Sequence, residues 1–218
     1  KGVDVLLKVV PHIVASGGQV VMLGSGDHQL EEAMRQMEND HKGRAVGWVG
    51  FSVPVSHRIT AAADILAMPS RFEPCGLNQM YALRYGTIPV AHATGGLRDT
   101  VRRDVGYPFS PCESDELRFA LDRAFRCYRE GREIRRRERE NRATGAGGAG
   151  GEDGVEGGGR RRGGYPAHLP QGSWERKQVR AMTRDLSWSN AAEKYEKVFR
   201  SAALSPAPPP ARRSLLSP

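Results

Sequence analysis

The stretch PSRFEPCGLNQMYALRYGTIPVAHATGGLRDTV, residues 69–101, limits the possible fold more than any other part of the chain. An apolar run at 64–68 leads into it and is short, unbroken and stopped by Pro69, the pattern of a buried strand. Pro74 suits a first helical turn, where its missing N–H is no loss, so the spacing predicts a helix over 75–85 that ends at Gly86. Glu73 then stands at the helix mouth. The unpaired N–H groups of Gly76, Leu77 and Asn78 would point into the same space, which suits an anion such as a phosphate with one fixed carboxylate beside it. A second strand is expected at 88–92, followed by Thr94, Gly95 and Gly96. Two strand ends thus deliver two glycine-bearing loops to one edge of a sheet, where open α/β sheets bind ligands.

The segments upstream follow the same grammar. A helix is expected at 3–15, a strand at 19–23, a Gly24-Ser25-Gly26-Asp27 turn, a helix at 29–38, a strand at 44–49 and a helix at 55–62. Alternating strands and helices of this kind predict an α/β fold, a Rossmann-like doubly wound parallel sheet. Several residues here admit two readings. The Gly-Ser-Gly turn is either a tight connection or a ligand loop, and Phe51, in the loop after the 44–49 strand, is either a core aromatic or a ring held at the ligand edge. Glu73 either serves the site or simply favours the positive end of a helix. Cys75 lies at a helix start, where a thiol pKa falls, but no His stands in a triad-like motif nearby, so a nucleophilic role is not favoured.

Composition divides the chain. Eleven of its 26 glycines fall at 145–164, with almost nothing apolar to bury, and disorder is expected there. The net charge of +8 is concentrated at 123–180, outside the periodic part, so a nucleic-acid role is not expected; the GGRRRGG run at 158–164 is its one weak support. The three cysteines have no metal-ligand spacing and cannot all pair, which fits a reducing compartment. No stretch is apolar enough to span a membrane. The expected organisation is a nucleotide-sugar-binding domain at 1–130, a Gly/Arg-rich disordered insert at 131–173, closing helices at 174–204 and a proline-rich tail at 205–218. Within 174–204 the last helix is expected at 189–203, with Ala192, Tyr195, Val198 and Phe199 on one face and Trp188 in a core.

The runs SRFEPCGLN, YGTIPV and TGGLRDTV, with VGFSVPVSHRITAAADILAMPS and KGVDVLLKVV before them, resemble the donor-binding segment of starch and glycogen synthases. The resemblance covers residues 1–101, and Asn78 with the HATGGLRDTV wording is more like the soluble plant and algal starch synthases. It implies the C-terminal half of a GT-B glycosyltransferase that adds glucose from ADP-glucose to the non-reducing end of an α-1,4-glucan with retention. By the same resemblance, Lys1 heads the Lys-Gly pair that contacts the donor phosphates, Phe51 stacks on the adenine and Glu73 is the essential carboxylate. Cys75 offers its backbone N–H to sugar hydroxyls, with Gly76, Leu77 and Asn78 following in the family's order. Gly95, Gly96 and Leu97 match a second glycine loop near the donor; their other reading is a turn that needs positive φ. Tyr81 stands where many related glycosyltransferases carry a second Glu, a departure usual for starch synthases.

The resemblance further implies no cofactor and no metal, other starch-synthesis enzymes as possible partners, and a plastid location. The chain begins at Lys1 and is expected to be a fragment: the family's amino-terminal domain, the first strand of this domain and the arginine ahead of the lysine lie outside it, so the chain alone is expected not to catalyse. Two alternatives remain at this stage, a piece of a bacterial-type glycogen synthase and a truncated, non-catalytic module that binds glucan or a partner.

Overall fold

The helix expected at 3–15 is α1 (Val3–Ala15), which buries Val5, Val9, Val10 and Ile13, leaves Leu6 and Val14 half-buried and stops at Gly17, whose φ is 81°. The computed structural model describes residues 1–144 and 173–204. Strand β1 (Val20–Gly24) follows, and Asp27 then caps helix α2 (His28–Asp40) by accepting from the N–H groups of Gln29 and Leu30 at 2.9 and 3.1 Å. Strand β2 (Ala45–Val49) leads through the Phe51 loop to helix α3 (Val53–Ala62), capped by Ser52. Strand β3 (Ile65–Met68), helix α4 (Asn78–Tyr85), strand β4 (Ile88–His92), helix α5 (Gly95–Thr100) and strand β5 (Tyr107–Phe109) carry the stretch identified above.

All strand pairs are parallel, as the alternating pattern predicts, and among the described residues they form two sets, β1–β2 and β3–β4–β5. β4 lies in the middle of the second set and is buried on both faces, which is why it reads as the unbroken apolar run Ile-Pro-Val-Ala. β1 pairs only with β2, and β3 only with β4, on their described sides. Residues of both, Val20 and Val21 on one side and Ile65, Leu66 and Ala67 on the other, line one cavity of about 1620 Å³. The strands are therefore divided between two sheets because no described strand lies between β1 and β3.

Helix α6 (Ser114–Ala143) runs without a break past the expected domain boundary at residue 130. Its apolar face, Leu117, Ala120, Leu121 and Ala124, is fully buried, and Asp122 meets His12 of α1 at 2.6 Å. α6 meets helix α7 (Trp174–Thr183) on both sides of that boundary: Tyr128 packs on buried Trp174 edge to face at 5.2 Å, and Arg135 pairs with Glu175 at 2.9 Å. The disordered insert expected at 131–173 thus begins as helix, the end of α6; its residues 145–172 and the tail at 205–218 lie outside the described residues.

The chain divides into two compact units, the first ending at Arg184, so the 174–204 segment is split rather than closing one domain. Helix α8 (Trp188–Leu204) belongs to the second. Its Tyr195 and Phe199 rings stack at 6.2 Å, one turn apart, but Trp188 is exposed rather than in a core.

Candidate functional site

The centre of the site joins two residues 72 positions apart: Lys1 Nζ donates to Glu73 Oε2 at 2.5 Å. The lysine side chain is 70% exposed while that of Glu73 is 10% exposed, so the carboxylate is fixed in the protein and the ammonium reaches it from the solvent side. Ser70 Oγ lies 3.5 Å from the same carboxylate oxygen, and Ser70 is held in turn by His92 Nδ1, 2.7 Å from its carbonyl. A second tie runs beside the first. Arg71 donates both guanidinium nitrogens to Asp4 of α1 at 2.7 and 2.6 Å, a fork that holds the Asp4 carboxyl down at about 2 through this hydrogen bond. Gly2 completes the junction: its φ is 72° and a Cβ there would come within 1.9 Å of the Pro69 carbonyl oxygen. The start of α1 and the loop after β3 are thus pressed together at backbone level.

The loop itself differs from expectation. α4 begins at Asn78, not at residue 75, because Gly76 adopts φ 73°, a left-handed conformation that no α-helical turn contains. Pro74 therefore precedes the helix instead of opening it. Of the expected donor set, Asn78 is in the first helical turn, Leu77 stands at the N-cap position with its side chain exposed, and Gly76 belongs to the turn before. Cys75 is exposed, and its backbone touches the second glycine loop.

That second loop is wedged into the first. Gly96 N–H lies 3.0 and 3.1 Å from the carbonyl oxygens of Glu73 and Pro74. A Cβ at Gly95 would fall 2.1 Å from the Glu73 carbonyl oxygen, and one at Gly96 2.1 Å from that of Cys75. Both glycines are required by close approach, and Gly95 also by its φ of 41°. Leu97 turns the other way and is buried with Met68, Ala91 and Val101, so its side chain anchors α5 in the core. By contrast, nothing lies within 4 Å of a Cβ placed at Gly24 or Gly26, which makes the Gly-Ser-Gly turn an open connection.

Phe51 is 86% exposed, which removes the core reading and leaves the ring with a free face. Among the described residues no group of three or more His, Cys, Asp or Glu side chains is placed to hold a metal ion, and no helix is long and apolar enough to cross a membrane. Sequence reasoning missed Asp4, Ser70, His92 and Gln79. Asp4 and Arg71 are 67 positions apart and carry no shared motif, whereas Gln79 is one residue past Asn78 and reads as an ordinary helical position.

The chain matches the family model described as Glycosyl transferases group 1 over residues 1–143. It is 46% identical over 209 residues to Starch synthase 2, chloroplastic/amyloplastic, of Arabidopsis thaliana, covering 93% of this chain and 22% of that protein. It is 43% identical over 217 residues to Soluble starch synthase 1, chloroplastic/amyloplastic, of Solanum tuberosum, covering 94% of this chain and 28% of that one. The chain therefore spans about a quarter of the length of these curated relatives. Among solved structures, the catalytic domain of Starch Synthase IV from Arabidopsis thaliana, bound to ADP and acarbose, superposes with a TM-score of 0.65 at 26% identity, over 93% of this chain and 36% of that one. Sucrose-phosphate synthase from Thermosynechococcus elongatus shares the fold, with a TM-score of 0.53 at 19% identity over 93% of this chain and 42% of that one. With parallel strands, a helix mouth beside a fixed carboxylate and this family match over most of its length, the chain belongs to the group 1 glycosyl transferases.

Proposed function

We propose that this chain is the donor-binding part of a starch synthase, an enzyme that transfers glucose from ADP-glucose to the non-reducing end of an α-1,4-glucan with retention. The observation that carries the reading is the Lys1–Glu73 pair at the mouth of α4. The first turn of that helix presents N–H groups without intrahelical partners, a natural seat for phosphate oxygens. An ammonium group has three donors and Glu73 takes one, so Lys1 retains two for the diphosphate of the donor. As the bond from sugar to phosphate breaks, negative charge grows on the departing diphosphate, and Lys1 with these amides stabilises it. Glu73, held against Lys1 and Ser70, orients the sugar for attack from the same face by the acceptor hydroxyl. Phe51 offers a ring face to the adenine, and Cys75, Gly76, Leu77, Asn78, Gly95 and Gly96 shape the wall around the sugar and phosphates, with Leu97 anchoring the last two. No metal or cofactor has a part in this reading.

Support for the substrates comes from the relatives. The starch synthases it resembles are chloroplastic or amyloplastic, and the Arabidopsis synthase that shares its fold binds ADP and acarbose. A plastid location follows for the protein to which this chain belongs, with other starch-synthesis enzymes as its partners.

Calorimetric titration with ADP-glucose tests this directly. Saturable binding is expected, with UDP-glucose competing poorly and Glu73→Ala abolishing the signal while the thermal unfolding midpoint stays close to wild type. Uptake of donor unchanged by Glu73→Ala would place the ligand elsewhere and sink the reading.

A further inference from the structure

We propose that Gln79 is a positioning residue that aims the backbone amides of Gly76 and Leu77 into the helix mouth and locks the two glycine-bearing loops together. The inference rests on the donor-site reading above. Gln79 is completely buried. Its side-chain amide nitrogen donates to the carbonyl oxygens of Cys75 at 2.9 Å and Gly76 at 2.8 Å. Two carbonyl acceptors require a donor, which fixes the nitrogen toward the loop and leaves Oε1 buried without a partner. In a trans peptide the C=O and the following N–H point in opposite directions. Drawing the Cys75 and Gly76 carbonyls inward to Gln79 therefore turns the N–H groups of Gly76 and Leu77 away from it, toward the side on which a ligand can reach them. A helix running through these residues would hold those carbonyls along its own axis instead; the left-handed Gly76 and the side chain of Gln79 together prevent this.

Thr100 Oγ1 lies 3.2 Å from the same amide nitrogen and so shares one of its two hydrogens with a loop carbonyl, and that hydroxyl donates to the Gly96 carbonyl at 2.5 Å. Gly96 in turn returns its N–H to Glu73 and Pro74. The circuit runs from loop to α4, to α5 and back to the loop. Arg184, at the end of α7, closes it from behind by donating to the Thr100 carbonyl at 2.5 Å. Neither glycine of the second loop has room for a Cβ, so the two loops meet backbone to backbone.

The test uses the whole chain and three variants: Gln79→Met, which keeps volume and removes the donor; Thr100→Val, which keeps shape and removes the hydroxyl; and Thr100→Ser, which restores it. Amide exchange at Gly96 is read by NMR beside exchange at Val90 in the core, and ADP-glucose affinity by calorimetry. Gln79→Met and Thr100→Val are each expected to speed Gly96 exchange about tenfold, the equivalent of roughly one net hydrogen bond, while Val90 stays protected and Thr100→Ser behaves as wild type. Donor affinity is expected to fall in Gln79→Met by a similar factor. Unchanged Gly96 exchange, or a rise at Gly96 matched by Val90, overturns the proposal, the second outcome because it marks a general loss of stability. A wild-type chain that takes up no ADP-glucose would count against the donor reading, while the exchange comparison would still decide the role of Gln79.

Discussion

The two sheets are built from the same strand-and-helix grammar and differ in how much of it is buried. In the three-stranded sheet, Ile88, Val90 and Ala91 of β4 have no exposed surface, and α4 and α5 add buried Ala82, Leu83 and Leu97. In the two-stranded sheet, Val21 and Val46 are register partners on one face and are 51% and 44% exposed, and α3 buries no residue at all. The loops follow their sheets. Those of the three-stranded sheet interlock through glycines at backbone contact, while the Gly24–Gly26 turn stands in open space. A site that must hold a carboxylate and several amides in fixed relation depends on support that does not give, and only one of the two sheets supplies it within this chain.

The largest expected effect breaks the comparison if it fails. Ile88→Ala removes a fully buried side chain from the central strand and should cost about 2–5 kcal/mol, the range for large-to-small changes in well-packed cores. Val46→Ala on the open face of β2 should stay within about 0.5 kcal/mol, as surface changes do. Urea unfolding of both variants checks this, and similar losses would mean that the two sheets are equally supported.

A smaller effect sharpens the contrast between the loops. Gly96→Ala forces a Cβ to within 2.1 Å of a backbone oxygen that no rotamer change can move. It should cost about 1–3 kcal/mol as an overpacking change and weaken donor binding. Gly26→Ala meets nothing and should leave both properties unchanged. Thermal unfolding and donor titration of the two variants distinguish a built loop from a simple connection.

Much of the supported half was legible in the sequence because its signals are local. The apolar run of β4, the glycine stop of α4 at Gly86, where φ is 78°, and the spacing of the α1 core positions each lie within one segment. Glu73 was legible as a candidate because Pro74 follows it directly and Gly76 three residues on, in a loop after an apolar run. The start of α4 was not, since Pro74 is compatible with a helix and only the left-handed Gly76 with the Gln79 side chain decides against one. Division of the strands into two sheets was equally hidden, because pairing partners depend on which strand ends up beside which. Phe51 shows the limit of composition: an aromatic in a loop is read as core or ligand-facing with equal grammar, and its 86% exposure is a tertiary fact.

The smallest expected effect concerns how the start of α1 is tied to the supported half. Asp4 has its pKa lowered from 3.8 to about 2, first by its hydrogen bond from Arg71. A carboxyl whose folded pKa lies below its unfolded value binds fewer protons in the folded state, so its stabilisation is complete above about pH 4 and is lost as the pH falls through about 2. Asp4→Asn should therefore lower the unfolding midpoint by a constant, small amount above pH 4, with the two curves converging as the pH drops toward 2. The side chains of Asp4 and Arg71 are 41% and 55% exposed, so solvent screens the pair and added salt should shrink the difference further. Parallel curves from pH 5 to 2 would show that the fork contributes no proton-linked stability. In that case the Lys1–Glu73 bond and the close packing of Gly2 on Pro69 hold α1 to the site loop without help from the fork.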